Sequence, residues 1–399
     1  MTDQSNTGAG TPSSSSTPTS QVIPKTVSAY QRVSDVDVLM TIVHPPRIVG
    51  LGNVLILNPN VEQIKNPDSS SPRDKDGLTA NDRGSGVLLR KTDSKSGATY
   101  VEYSNAEAVD YDYGESSGIY AKACAYFAQA NPSDRIAVLT YDPSKLSESL
   151  EAFWYFDWTF AIQAKSKISD ESMSLSNIFE ANKDHFLVLQ SADHSAYNGY
   201  SGQNYTIGLV HDLSEPMDAA LLGSTALLTV GSTTWKFRNL VGITPDLLTA
   251  NELKGIATNY AIAYVEVAGQ GETSEGTSLS GEYIDTLHGA LWVKTEMQNR
   301  LERLLQSNNK IPYEQSGINM IQGVAITVLE QAWEQGIVLT NEKNGKGDYN
   351  VTATPRSAQS KDDISKRHYG GLSFTYHASG AIHTLTVHGT VNSDTILSK

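Results

Sequence analysis

One feature limits what this chain can fold into more than any other: two hydrophobic periods that take turns between residues 90 and 230. In "SSGIYAKACAYFAQA" the residues Tyr120, Ala123, Cys124 and Phe127 recur at three-to-four spacing, with Ser116 or Ser117 placed to cap a helix. "NPSDRIAVLTYD" follows as a turn and a dense apolar strand. "SLSNIFEANKDHFLVLQSAD" repeats helix then strand, "YTIGLVHD" adds a strand and "EPMDAALLGSTALLT" a helix. Helix leading repeatedly through a short turn into an apolar strand is the mark of an α/β layer, so a mixed or parallel sheet with flanking helices is predicted.

The flanks fill in around that layer. Residues 1–20 are Ser, Thr, Gly and Pro with almost no apolar content, and are expected to be disordered. "DVDVLMTIVHPPRIVGLGNVLILN" reads as two β-rich runs around a "HPPR" break, and "NVLILN" is dense enough to be buried on both faces. Residues 65–85 read as a polar surface loop. "GVLLRKTDSKSGATYVEY" gives two strands around "SKSG", then a short helix capped by Ser104. Trp154 and Trp158, four apart in an aromatic run from Phe153 to Phe160, are expected on one helix face as core. Thr249 caps a further helix before the strand "YAIAYVEVAG".

The longest helical pattern is "GEYIDTLHGALWVKTEMQNRLERLLQS", with Ile284, Leu287, Leu291, Met297, Leu301, Leu304 and Leu305 on one broad face. A second, "INMIQGVAITVLEQAWEQG", ends at Gly336. Between them stands "KIPYEQSG". Its Lys310, Tyr313 and Glu314 pose the question of a reactive cluster. Pro312 removes a donor and drives Ile311 towards an extended shape, and Ser316 is placed to cap the next helix from Gly317 or Ile318. The segment therefore reads as a stiff connector that aims one helix against the other. The terminal stretch "LSFTYHASGAIHTLTVHGTVNSD" is expected as a hairpin, with Phe374 and Tyr376 on one arm, Leu385 and Val387 on the other, and "ASG" at the turn. The predicted organisation is a tail (1–21), an N-terminal arm and β-rich segment (22–90), an α/β middle (91–275) and a C-terminal domain of two helices, hairpin and arm (276–399).

A search for chemistry returns little. Neither a dinucleotide fingerprint nor a Walker lysine nor a GxSxG elbow occurs, and "GQGETSEG" has the wrong glycine spacing. "DKDG" at Asp74–Gly77 lacks the later acidic ligands of a calcium loop. The single cysteine, Cys124, can form neither an intrachain disulfide nor a metal pair and is expected as a small core residue. No apolar run approaches the ~18 residues of a membrane span, and a signal-peptide pattern is not seen. The formal charge of −14 argues against nucleic acid as partner, and obliges any self-assembly to use local charge complementarity. The expectation is no enzyme, no catalytic residue, no metal and no cofactor.

Five segments recur in an order that is familiar as a set: "YSNAEAV"; "SGIYAKACAYFAQ", with Tyr126, Phe127 and Gln129; "GEYIDTLHGALW"; "NKIPYEQSGI", with Lys310, Ile311, Pro312, Tyr313 and Gly317; and a helix ending "EQGIV". In this order, from about Val33 to Val391, the chain resembles contractile bacteriophage tail sheath proteins. The resemblance implies a structural subunit of the virion tail, assembled in the host cytoplasm. It would polymerise with itself as stacked hexameric rings around a tail tube protein, bounded by baseplate and tail terminator proteins, and contract to drive the tube through an envelope. It also implies N- and C-terminal arms that add strands to a neighbour's sheet. Candidates are Val33, Val36, Val38 and Met40 at one end and Ile382, Leu385, Val387 and Val391 at the other. The alternative for both segments is an ordinary strand within one subunit. Rival readings of the chain are another self-assembling component, such as a tube or shell protein, and an enzyme whose site the sequence hides.

Overall fold

The apolar run at residues 54–58 is the strand around which the fold is laid. The computed structural model describes residues 52–60, 62–65 and 72–389 of the 399-residue chain. In chain order, β1 (Val54–Asn58) and the short α1 (Ala80–Ser85) precede β2 (Val87–Thr92) and β3 (Thr99–Tyr103). Then come α2 (Ala106–Tyr113), α3 (Gly118–Phe127), β4 (Ile136–Thr140), α4 (Leu146–Phe153), β5 (Phe160–Gln163), α5 (Asp170–Asn182) and β6 (Phe186–Ser191). β7 (Thr206–Val210), α6 (Met217–Thr225), α7 (Ala250–Thr258), β8 (Ile262–Val267) and β9 (Gln270–Thr273) complete the first layer. The rest is α8 (Ile284–Ser307), α9 (Gln315–Glu334), β10 (Thr340–Asn341), β11 (Lys346–Gly347), β12 (Tyr349–Ala353), α10 (Lys361–Lys366) and β13 (Leu372–Tyr376).

Nine strands make one sheet in the order β2-β3-β4-β1-β5-β6-β7-β8-β9. The run from β4 through β1 to β8 is parallel, and antiparallel strands finish both sides. The expected mixed sheet with flanking helices is what the chain forms. Every residue of β1 is buried, as parallel pairing on both sides and helices on both faces require.

A second core lies beyond this sheet. Its members include Trp292, Val293, Met297 and Leu301 of α8, Ala325, Val328, Leu329 and Ala332 of α9, and Ile337 and Val338 after it. The inward side chains of β12 and β13 pack against it. α8 joins the two cores, since Ile284, Leu287 and Leu291 belong to the first. One 24-residue rod thus takes part in both hydrophobic units.

Several sequence expectations need correction. The C-terminal hairpin pairs β13 with β12, Tyr376 opposite Tyr349, rather than with residues 382–389, which form no strand. α4 stops at Phe153, so Trp154 and Trp158 do not share a helix face. Both are still buried and meet edge-on at 5.5 Å, and the Trp158 indole donates to the Phe153 carbonyl, satisfying the helix end. Asn105, not Ser104, caps α2, by accepting from the Ala108 amide at 2.8 Å. Glu314, not Ser316, stands at the N-cap position of α9, and its side chain makes no capping bond. The 65–85 stretch is not all loop: α1 lies in it under a Thr79–Asp82 capping box, and Asp82 is buried. Cys124 is half-buried beside the Tyr120 hydroxyl rather than within the core. Leu305 is exposed rather than on the buried face of α8.

Candidate functional site

The connector between α8 and α9 turns on Gly317. A Cβ there would stand 2.0 Å from the Pro312 carbonyl oxygen, so the chain can fold back over the first turn of α9 only with glycine at this place. Ile311 lies against the same point. The Glu314 amide donates to the Pro312 carbonyl at 2.8 Å, and the Ser316 hydroxyl donates to the Glu314 carboxylate at 3.0 Å. Tyr313 reaches away from both. Its hydroxyl donates to the His368 carbonyl at 2.8 Å, and its own carbonyl accepts from Arg356 at 2.7 Å. The Arg356 guanidinium lies 5.5 Å over the Tyr313 ring, and Tyr369 meets that ring edge-on. Lys310 is exposed. The three residues are therefore spread between a turn, a tie and solvent, and the connector is bolted to the loop between β12 and β13.

Tyr126, Phe127 and Gln129, at the end of α3, form a second tie. The Tyr126 hydroxyl is 2.7 Å from that of Ser133, and the Ser133 amide donates to it at 3.1 Å. Gln129 grips the residue 241 loop twice, donating to the Val241 carbonyl at 2.9 Å and accepting from the Val241 amide at 3.0 Å. Phe127 packs edge-on against Tyr126. Gly223 of α6 is pressed so closely on this corner that a Cβ would be 2.2 Å from the Tyr126 carbonyl oxygen.

The sheet edges differ in kind. At β9 the outer edge is covered: the Phe237 amide donates to the Thr273 carbonyl, the Thr273 amide to the Arg238 carbonyl, and Asn239 to the Gly271 carbonyl. At β2 the register shifts between Val87 and Leu89, and the Arg90 amide is taken by the Asp76 carbonyl. Bulges and covering loops are the usual ways of blunting an edge. The β12–β13 pair has neither along its length. Its strands form a separate two-stranded sheet, each with one ladder partner among the described residues. Its inner face, Tyr349, Val351, Leu372, Phe374 and Tyr376, lies on the second core, while Asn350, Thr352, Ser373 and Thr375 face outward. The edge of β13 is open to incoming backbone, and that of β12 is open except at the Val351 carbonyl, which accepts from the Gln322 side chain of α9 at 3.3 Å.

The chain after β13 has a fixed root and, up to residue 389, an exposed continuation. The Ser379 amide donates to the Ile337 carbonyl at 2.9 Å. The His383 imidazole is then buried, with Nε2 2.8 Å from the Thr234 hydroxyl and Nδ1 2.9 Å from Glu275, and Tyr283 edge-on at 4.9 Å. Lys236 reaches the same carboxylate at 2.5 Å. Burial works to raise the Glu275 carboxyl, but the bonded Lys236 and His383 outweigh it and hold the group below its ordinary value. Around this root the side chains face solvent: Ile382 is 81%, Leu385 78% and Val387 80% exposed. Val33, Val36, Val38, Met40 and Val391 lie outside the described residues. The His383 seat and the Arg356 tie escape a sequence reading, since each joins positions remote along the chain.

Among the described residues no group of three or more His, Cys, Asp or Glu side chains could hold a metal ion, and no helix is long and apolar enough to cross a membrane.

Residues 284–391 match the family described as E217 tail sheath protein gp31-like, C-terminal domain. This span takes in α8, α9, the open β12–β13 sheet and the His383 root. The chain aligns with a protein of the extracellular contractile injection system PVC sheath complex in its contracted state, at TM-score 0.58 and 12% identity over 93% of this chain and 99% of that one. Chains from the anti-feeding prophage baseplate, 6-fold symmetrised, and from that baseplate in the contracted state align at TM-scores of 0.60 and 0.58, each at 11% identity over 91% of this chain. The fold is that of a tail sheath protein. No curated protein matches the sequence. With the sheath fold in view, the two-stranded sheet and the exposed segment after His383 lie in the region that matches the sheath family, residues 284–391.

Proposed function

We propose that this protein is the subunit of a contractile sheath, of a phage tail or a related injection device, and that copies interlock by strand addition at β12–β13. The observation that carries the reading is the pairing of opposites in one C-terminal domain. A two-stranded sheet offers two edges, that of β12 met only by Gln322 at the Val351 carbonyl, and a tail leaves its root at His383 with apolar side chains in solvent. Strand addition uses backbone hydrogen bonds, so a link of this kind persists while the joined bodies rotate. The Tyr313 and Arg356 ties would keep the accepting sheet in register with the helix pair during such movement.

In this reading residues 276–399 interlock the copies, and the remainder is the body each copy carries. Six-fold rings stack around a tail tube, with baseplate and terminator proteins at the ends, in the virion tail. The energy of contraction is stored in packing. Burying a further ~200 Å² of apolar surface per subunit would supply ~5 kcal/mol, with no nucleotide.

Negative-stain microscopy of the purified protein tests the reading. Striated cylinders are expected from the full chain. Chains lacking 1–40 or 382–399 should remain folded by circular dichroism and give no cylinders. Normal cylinders from both truncations would refute the interlock.

A further inference from the structure

Residues 236–238, "KFR", form a patch that internal packing accounts for only in part: Lys236 pairs with Glu275, and the Phe237 ring meets the His383 ring edge-on at 6.2 Å. Phe237 has φ +65°, a left-handed backbone that costs a bulky residue of order 1–3 kcal/mol. The strain is held by three bonds to Thr273: the Phe237 amide to its carbonyl at 3.1 Å, the Arg238 amide to its hydroxyl at 3.0 Å, and its own amide to the Arg238 carbonyl at 3.1 Å. Strain of this kind ordinarily ends in burial. Here it ends in an aromatic ring 43% exposed, with the Lys236 ammonium 5.3 Å from its centre.

Arg238 beside it stands apart in burial. Arg73, Arg83, Arg90, Arg135 and Arg300 all pair with carboxylates of this chain, while Arg303, Arg356 and Arg367, for which no such ion pair is seen, are exposed. Arg238 is half-buried, its Nε is fully buried without a hydrogen-bond partner, and no carboxylate meets it among the described residues. Burial alone pulls its guanidinium below the ordinary value, with no neighbouring carboxylate to offset it. A guanidinium partly removed from water and left unpaired is costly, and a carboxylate is the group that suits the donors it still presents to solvent. The chain has 44 acidic against 30 basic residues, so a second copy brings carboxylates in surplus, while like-charged copies need points of local attraction to associate.

We infer that Arg238, presented by the strained Phe237, is an inter-subunit contact that receives a carboxylate from a second copy of this chain. The inference rests on the proposed self-assembly but adds a surface distinct from the β12–β13 edges: the loop that covers the β9 edge, beside the His383 root. The apolar stem of the neighbouring acidic residue would cover the Phe237 ring while its carboxylate accepts from the solvent-facing Arg238 donors, which gives the strain a use.

The test is polymerisation of the full chain with Arg238→Glu and Arg238→Gln, read by sedimentation of polymer, with circular dichroism as the fold control. Loss of one partner of a desolvated charge pair should raise the concentration needed for assembly at least about tenfold for Arg238→Glu. Arg238→Gln should fall between it and the unmodified chain. In parallel, a benzophenone amino acid at position 237 is photolysed in the assembled polymer. The expected product is a crosslink between copies, to a peptide containing Asp or Glu. Unchanged assembly of the folded Arg238→Glu chain, or a crosslink only within one copy, would overturn the inference while leaving the sheath reading intact. Failure of the unmodified chain to polymerise would remove the sheath reading and this inference with it.

Discussion

Two residues show how little slack the packing leaves. Gly317 has the Pro312 carbonyl where a side chain would begin, so Gly317→Ala must displace the turn into α9. We expect it to lower stability by about 2 kcal/mol or more, as overpacking against backbone does, measured by urea unfolding. A neutral result would mean that the connector shifts freely. Arg90 is the other. Its guanidinium donates to Asp82 at 3.0 Å and Asp112 at 2.8 Å, and the Tyr103 hydroxyl donates to Asp112 as well. Burial pushes the Asp112 carboxyl above its ordinary value in spite of these partners, so the pair is balanced closely against desolvation. Arg90→Ala strands that carboxyl and should cost about 3 kcal/mol in the same measurement. If Arg90→Ala unfolds at the same urea concentration as the unmodified protein, the network is ornamental.

At the scale of elements, the tail root is the part that conditions should move. The Glu275 carboxyl is held below its ordinary value of 4.5, so its contribution is complete above that value and is lost as pH falls through the lower folded-state value. The expected outcome is lower amide protection at residues 379–389, after correction for the intrinsic pH dependence of exchange, once pH falls well below the ordinary carboxyl value of 4.5, with the same loss produced at neutral pH by Glu275→Gln. Equal exchange in both proteins would show that His383 does not depend on this carboxylate. The same scale shows what was legible in the sequence. α3 declared itself through Tyr120, Ala123 and Phe127 and through its serine cap, and β1 through five adjacent apolar residues. The partner of β13 did not declare itself. Residues 349–353 and 382–389 both alternate as strands do, and the choice is made by packing of Tyr349 and Val351 on the second core, which no local pattern encodes. The Trp154–Trp158 spacing misled for a related reason: a four-residue separation suits a helix, but His185 stacks on Trp158 at 3.6 Å and holds the pair in a turn.

For the whole molecule, α8 ties a nine-stranded sheet to a second, smaller core that carries the open strand pair, which gives a body and a linking end. The ordered alternation of helix and strand made the first legible. The site at the second was legible only as residue types, because His383, Glu275 and Thr234 are brought together from distant parts of the chain. The central claim is that the free edges of β12 and β13 are filled by backbone from other copies. A cryo-EM reconstruction of the assembled polymer tests it most directly. The account predicts strand density along both edges, traceable to the arms of neighbouring copies. Edges left empty, or filled by the same copy's own tail, would contradict it.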